Sequence, residues 1–380
     1  MTRRDRIRHV FAGGVSEVPP VTLRLDLWHN HAQHTGGLPK DIEGLSMEEV
    51  EDHLGFCRSA RYRAMPKLHW PEGWVEQEQQ GNDTVTHYRF PERTLHSVER
   101  CFVEQQQAGM RGQMVKYPIA SEDECRAFLN ALSCADLKAP VDGFAEFDQQ
   151  TGDAGLPLLI LGPGPAHFVM LNLLGYENAY YAMADYPDVL DALITAIEEK
   201  FRAQVWDTAL QTTAELVLHG VHFSDDATPP PLFRKYFQPY FTDFVQAAHR
   251  TGKRVVWHAD AAVGSLMGEV LEIGFDGADC LATWPLVQQT LQAYHGAWRG
   301  RIVCWGGLPG TVLHPEYPRR EFEVYLDGLT DYSRGCASII IAASDNVMPG
   351  GEWERILAVS ERFCHGNDAC VTVAPERRRR

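Results

Sequence analysis

His258 and Asp260 stand two residues apart, directly after the apolar run Val255-Val-Trp257, in the stretch GKRVVWHADAAVGSLMGEVLEIGFDGADCLA from Gly252 to Ala282. An imidazole and a carboxylate at that spacing face the same way while the chain stays extended, so they can share a metal ion or pass a proton. A structural role is equally open: His258 donates to a backbone carbonyl and Asp260 caps the helix that follows. The same residue types recur beside other apolar runs. Asp26, His29, His31 and His34 close the run that starts at Val18, His222, Asp225 and Asp226 close the one from Glu215 to Phe223, and Asp345 follows Ala337 to Ala342. Histidine and aspartate at such places suit a divalent ion or acid-base work. The histidine spacing i, i+2, i+5 fits no common zinc signature. Adjacent Asp225 and Asp226 cannot both point inward from an extended segment. Cys304, inside an apolar run, is expected in the core.

Side chains this far apart in sequence meet where parallel strands end together. Val263 to Ile273 has the spacing of an amphipathic helix, Gly274 can stop it, and Asp276 to Leu281 restarts as a strand. Strands of this kind are expected at Val21 to Leu27, Leu156 to Leu161, Glu215 to Phe223, Lys253 to Trp257, Asp276 to Leu281, Arg301 to Trp305 and Ala337 to Ala342, with helices between the later ones. An eighth strand is expected somewhere in the 57 to 150 region. Ser46 and Glu49 form a capping-box pattern opening a helix to Arg63, and Ser121 opens another. The pattern predicts an α/β fold, a (β/α)8 TIM barrel with an N-terminal helical extension and an irregular insertion or antiparallel flap around 66–118. One domain is expected over 1–370, with 371–380 as a tail. Gly162-Pro-Gly-Pro165 lacks the GxGxxG spacing and the amides of a dinucleotide loop.

A net charge of -16 over 380 residues argues against nucleic acid or an anionic membrane as the main partner. The nine cysteines are scattered and odd in number, the pattern of reduced thiols. With a charged start, Met1-Thr-Arg-Arg-Asp-Arg, and no long apolar segment, a cytoplasmic protein is expected.

The order of these segments resembles the uroporphyrinogen decarboxylase superfamily, whose members share a (β/α)8 barrel. The similar pieces are GPGPAHFVMLNLLGYENAYYAMADYPDVLDAL, HFSDDATPPPLFRKYFQPYF, the Gly252 unit, RIVCWGGLPG and SIIIAASDNVMPGGEWERI. True decarboxylases of that superfamily carry an arginine-rich segment after the first strand, whereas Leu23 to His31 holds one arginine, too few for a substrate with many carboxylates. The resemblance therefore implies the corrinoid-dependent methyltransferase branch. It implies methyl transfer from a small O-, N- or S-methylated substrate to a corrinoid carried on a partner protein, with a homodimer as the expected assembly. The alternative is a cofactor-free decarboxylase of a small carboxylic acid or porphyrinogen-like substrate.

Several members of that branch hold zinc with a His-x-Cys pair and a later cysteine. Here Asp260 takes the first cysteine position, and Ser344 and Asp345 stand near the later one. The carried-over site has His258, Asp260 and Asp345 as ligands of zinc or a similar ion, or as a metal-free acid-base group. In it His258, Asp226 and His222 are catalytic, and Asp26, His29, His31 and Asp225 bind substrate.

Overall fold

A computed structural model describes residues 1–364 except 108 and 111; the tail expected over 371–380 lies outside the described residues. Seven strands form one parallel sheet: β1 (Arg61–Arg63), β2 (Leu158–Gly162), β3 (Leu216–Val221), β4 (Arg254–His258), β5 (Gly277–Leu281), β6 (Val303–Leu308) and β7 (Ile339–Ala343). Their order in the sheet follows the chain, and every neighbouring pair is parallel. The sheet is curled into a half-barrel with helices packed on it.

The closed eight-stranded barrel is not what forms. The strand expected at Val21 to Leu27 shrinks to one parallel bridge, Val21 to Ile341, with the Thr22 amide donating to the Ile341 carbonyl at 2.9 Å. Pro19 and Pro20 supply no donors just upstream, and from Asp26 to Thr35 the chain is a helix. On the other side the Cys57 amide reaches the Val21 carbonyl at 2.8 Å, but no ladder develops.

The eighth strand sought between 57 and 150 is β1, three residues long. Tyr62 turns outward onto Phe144 and Phe147, while Arg61 and Arg63 turn to the concave side. The helix expected from Ser46 to Arg63 ends at His53, and Gly55 turns the chain at φ 72°. Its opening is as expected: Ser46 and Glu49 exchange both capping-box hydrogen bonds. Ser46→Ala is expected to lower stability by about 1 kcal/mol in urea unfolding.

The 66–118 insertion contains a four-stranded antiparallel sheet, Val75–Gln80, Asp83–Arg89, Thr94–Arg100 and Gln113–Lys116. The Val263 helix starts with a 3-10 turn at Gly264–Leu266 before Met267–Ile273, and Gly274 ends it at φ 87°.

Strand alternation builds two apolar layers. Leu158, Leu216, Leu218, Val256, Trp305 and Ile340 fill the concave side, joined by Ile7 and Val10 of helix Arg3–Phe11. Leu159, Val217, Val255, Trp257, Cys304 and Ile341 face the helices; Cys304 is thus a core residue, as expected. With the concave layer filled at the amino ends of the strands, the open space is left at their carboxyl ends.

Candidate functional site

The carboxyl ends of β2, β3, β4 and β7 surround an open cavity of about 390 Å³, whose wall includes Arg24, Asp26, His222, His258, Asp260 and Asp345. The backbone departs from regular strand here. Register slips between Ile160 and Gly162, between Val256 and His258, and between Asp279 and Leu281. Five described residues other than glycine have positive φ, and three belong to this site: His222 (54°), Cys280 (57°) and Asp345 (76°). Such conformations cost roughly 1–3 kcal/mol each and persist where the surroundings impose them. At β5 the result is specific. Asp279 and Cys280 are consecutive and would face opposite sides of a regular strand, but the slip and the left-handed Cys280 turn both towards His258.

His258 is the centre. Its Nδ1 lies 3.1 Å from Asp279 Oδ2, and its Nε2 lies 3.4 Å from Asp260 Oδ2 and 3.6 Å from Asp345 Oδ1. His222 Nδ1 approaches the same Asp260 oxygen at 3.2 Å. Behind the histidine, Arg61 donates to both oxygens of Asp279, Nη1 to Oδ1 at 2.9 Å and Nη2 to Oδ2 at 2.5 Å. Arg24 Nη1 donates to the Asp345 carboxylate and lies 3.8 Å from Cys280 Sγ. With its amide oriented to satisfy both ends, Asn346 donates to Asp26 at 3.0 Å and accepts from Arg24 Nη2 at 2.8 Å.

These contacts decide the charges. Burial disfavours the cationic form of His258, but Cys280 and the hydrogen bonds to Asp260 and Asp279 outweigh it and hold the imidazole pKa well above its usual range. Burial likewise works against ionised Asp279, yet Arg61 and then His258 keep it below the usual carboxylate range. Asp260 is held low against its burial by His222 and His258.

The sequence-derived residues divide. His258, Asp260, Asp345, His222 and Asp26 share the cavity wall. Asp225 and Asp226 do not line it: Asp225 accepts from the Gly264 and Ser265 amides at 3.1 and 2.9 Å, tying two loops together, and Asp226 is exposed. His29 and His31 are also outside, because from Asp26 the chain is a helix and successive side chains fan around it. His29 is buried in that helix and His31 is exposed on it. Residues not singled out from the sequence, Arg61, Asp279 and Cys280, hold central places. Cys280 lies in the Gly252 to Ala282 stretch, but alternation on a regular strand gives no reason to turn it inward beside Asp279.

His258, Cys280 and Asp345 each offer a ligand atom, all within 4.8 Å of one another. A nitrogen, a sulfur and an oxygen donor suit zinc, and a carboxylate on the far ring nitrogen is the usual outer partner of a metal-binding histidine. The buried Asp260 Oδ1 has no hydrogen-bond partner. The donors of His258, Cys280 and Asp345 therefore fit a divalent ion, and Asp260 stands beside them, between His258 and His222.

No protein-family model matches the sequence, and no curated protein matches it. Among solved structures, a methyltransferase from Methanosarcina mazei aligns over 96% of this chain and 98% of its own, with a TM-score of 0.57 and 11% identity. The likeness is one of fold. A spore cortex-lytic enzyme, SleL of Bacillus megaterium QM B1551, aligns over 60% of this chain and 64% of its own at a TM-score of 0.30 and 10% identity. No helix among the described residues is long and apolar enough to cross a membrane.

Proposed function

We propose that this chain is a methyltransferase of the uroporphyrinogen decarboxylase-like type, taking a methyl group from a small O-, N- or S-methylated substrate and passing it to a corrinoid carried on a partner protein. The observation that carries the reading is the cluster of His258, Cys280 and Asp345 at the strand ends of a fold that corresponds end to end with that of a methyltransferase. A heteroatom losing its methyl group leaves poorly as an anion, so it must be protonated or held by a Lewis acid. A zinc ion on His258, Cys280 and Asp345 would supply the Lewis acid.

The chain's own residues do the rest. Asp279, gripped by Arg61, fixes the His258 ring with Nε2 towards the cavity; His222 and Asp260 form the wall against which the substrate's polar end is oriented. Trp284, Leu286 and Met348 are exposed on loops at the carboxyl ends of the strands, an apolar rim on the side from which a partner would approach. His258→Ala is expected to lower methyl transfer to a corrinoid acceptor at least about a hundredfold; undiminished transfer in that variant would sink the reading.

A cofactor-free decarboxylase is the second reading, favoured by Arg24 and Arg63 on the cavity wall, which suit a substrate carboxylate. Carbon dioxide release without any corrinoid would select it.

A further inference from the structure

A second cavity, also about 390 Å³, opens beside β1, lined by residues of helix Met47–His53 and helix Phe144–Thr151. It sits at the edge of the sheet that the missing ladder leaves open. Arg24, Arg58, Arg61 and Arg63 line it, together with Glu51 and Phe147; all of these arginines except Arg58 also wall the first cavity.

Four guanidinium groups around one space are unexpected in a chain of net charge -16. The carboxylates held by three of them lie elsewhere. Arg24 holds Asp345, Arg61 holds Asp279, and Arg58 Nη2 holds Asp52 at 2.7 Å; none of these three acids lines the second cavity. Arg58 thereby spends one N–H of a five-donor fork. Asp26 and Glu48 bring negative charge to the wall, but Glu51 does not at neutral pH. It is 5% exposed and accepts from the Ser59 amide at 3.0 Å, and burial pushes its carboxyl up to about 8. Glu51 is then a neutral acid, able to donate. Phe147 and Met47 add apolar wall. Convergent donors beside an apolar surface are how small organic anions are held.

We propose that this cavity is a second binding site, for a small molecule bearing a carboxylate or phosphate group. Arg24 and Arg61 couple it to the first site. An anion drawing on either guanidinium competes with Asp345 or Asp279, two of the carboxylates that face His258, so occupancy here alters the His258 cluster and the cluster alters affinity here. None of this depends on methyl transfer.

The test is calorimetric titration of the full chain with inorganic phosphate and, separately, with benzoate. Saturation at one equivalent is expected for at least one probe, and which probe saturates identifies the anion type. Arg58→Gln is expected to weaken that binding tenfold or more, and so is Ala60→Leu, which narrows the cavity without changing its charge; His258→Ala is expected to keep saturable binding at one equivalent, with only its affinity shifted by the coupling. Absence of saturable heat with both probes overturns the proposal, as does full-strength binding in both cavity variants or a loss confined to His258→Ala.

Discussion

Replacing Arg61 with alanine is expected to destabilise the protein by about 3–5 kcal/mol and to disable the His258 cluster in whatever fraction remains folded. Asp279 is 1% exposed and ionised against its burial chiefly because Arg61 meets both of its oxygens. Without the guanidinium that charge has one remaining partner, His258, which already faces Asp260 and Asp345. A buried carboxylate stripped of its main counterion is far more costly than the intact pair is stabilising, so the loss should be large even though the pair itself is no argument for stability. Arg61→Lys keeps the charge but not the two-point grip, and is expected to fall between wild type and alanine. Urea unfolding measures both variants. A loss below about 1 kcal/mol for Arg61→Ala would mean that Asp279 finds another partner or takes up a proton.

Glu51 makes stability depend on pH in the direction opposite to most paired carboxylates. Burial raises its carboxyl from 4.5 to about 8, with the Ser59 amide, and then Arg58, opposing. Between those values the folded state keeps a proton that the unfolded chain has released, so stability falls as pH rises through that window and is fully present below it. At about 1.4 kcal/mol for each pH unit, the loss is on the order of 4–5 kcal/mol by pH 8. Glu51→Gln retains an oxygen for the Ser59 amide and cannot ionise. It is expected to match wild type near pH 4.5, to exceed it by several kcal/mol at pH 8, and to flatten that slope in denaturant titrations at stepped pH. Parallel slopes in the two proteins would show that Glu51 ionises without penalty.

The later two thirds of the fold was legible because its strands are apolar on both faces and each is followed by a helix with a recognisable start or stop. β2 to β7 appear within a few residues of where apolar runs place them. The first third was not. Arg61-Tyr-Arg63 is a strand that no hydrophobic pattern announces, since two of its three residues are charged and, among the described residues, it pairs with β2 alone. Val21 to Leu27 reads as a strand by alternation, yet becomes a helix at Asp26 because tertiary packing outweighs that local preference.

The site divides along the same line. His258, Asp260, Asp345 and His222 stand at the ends of readable strands, so topology alone brings them together. Arg61 lies on the unreadable strand. Cys280 needed a left-handed residue in the middle of β5, and nothing in Gly277-Ala-Asp-Cys-Leu281 marks that conformation.

The left-handed backbone at His222, Cys280 and Asp345 also bears on how this protein can change. Glycine would sit in those conformations with less strain, but it would remove a side chain that faces the cluster, and at Asp345 it would also strip Arg24 of its carboxylate partner. A histidine, a cysteine and an aspartate held at backbone angles that favour glycine thus place stored strain where their side chains meet in one mouth.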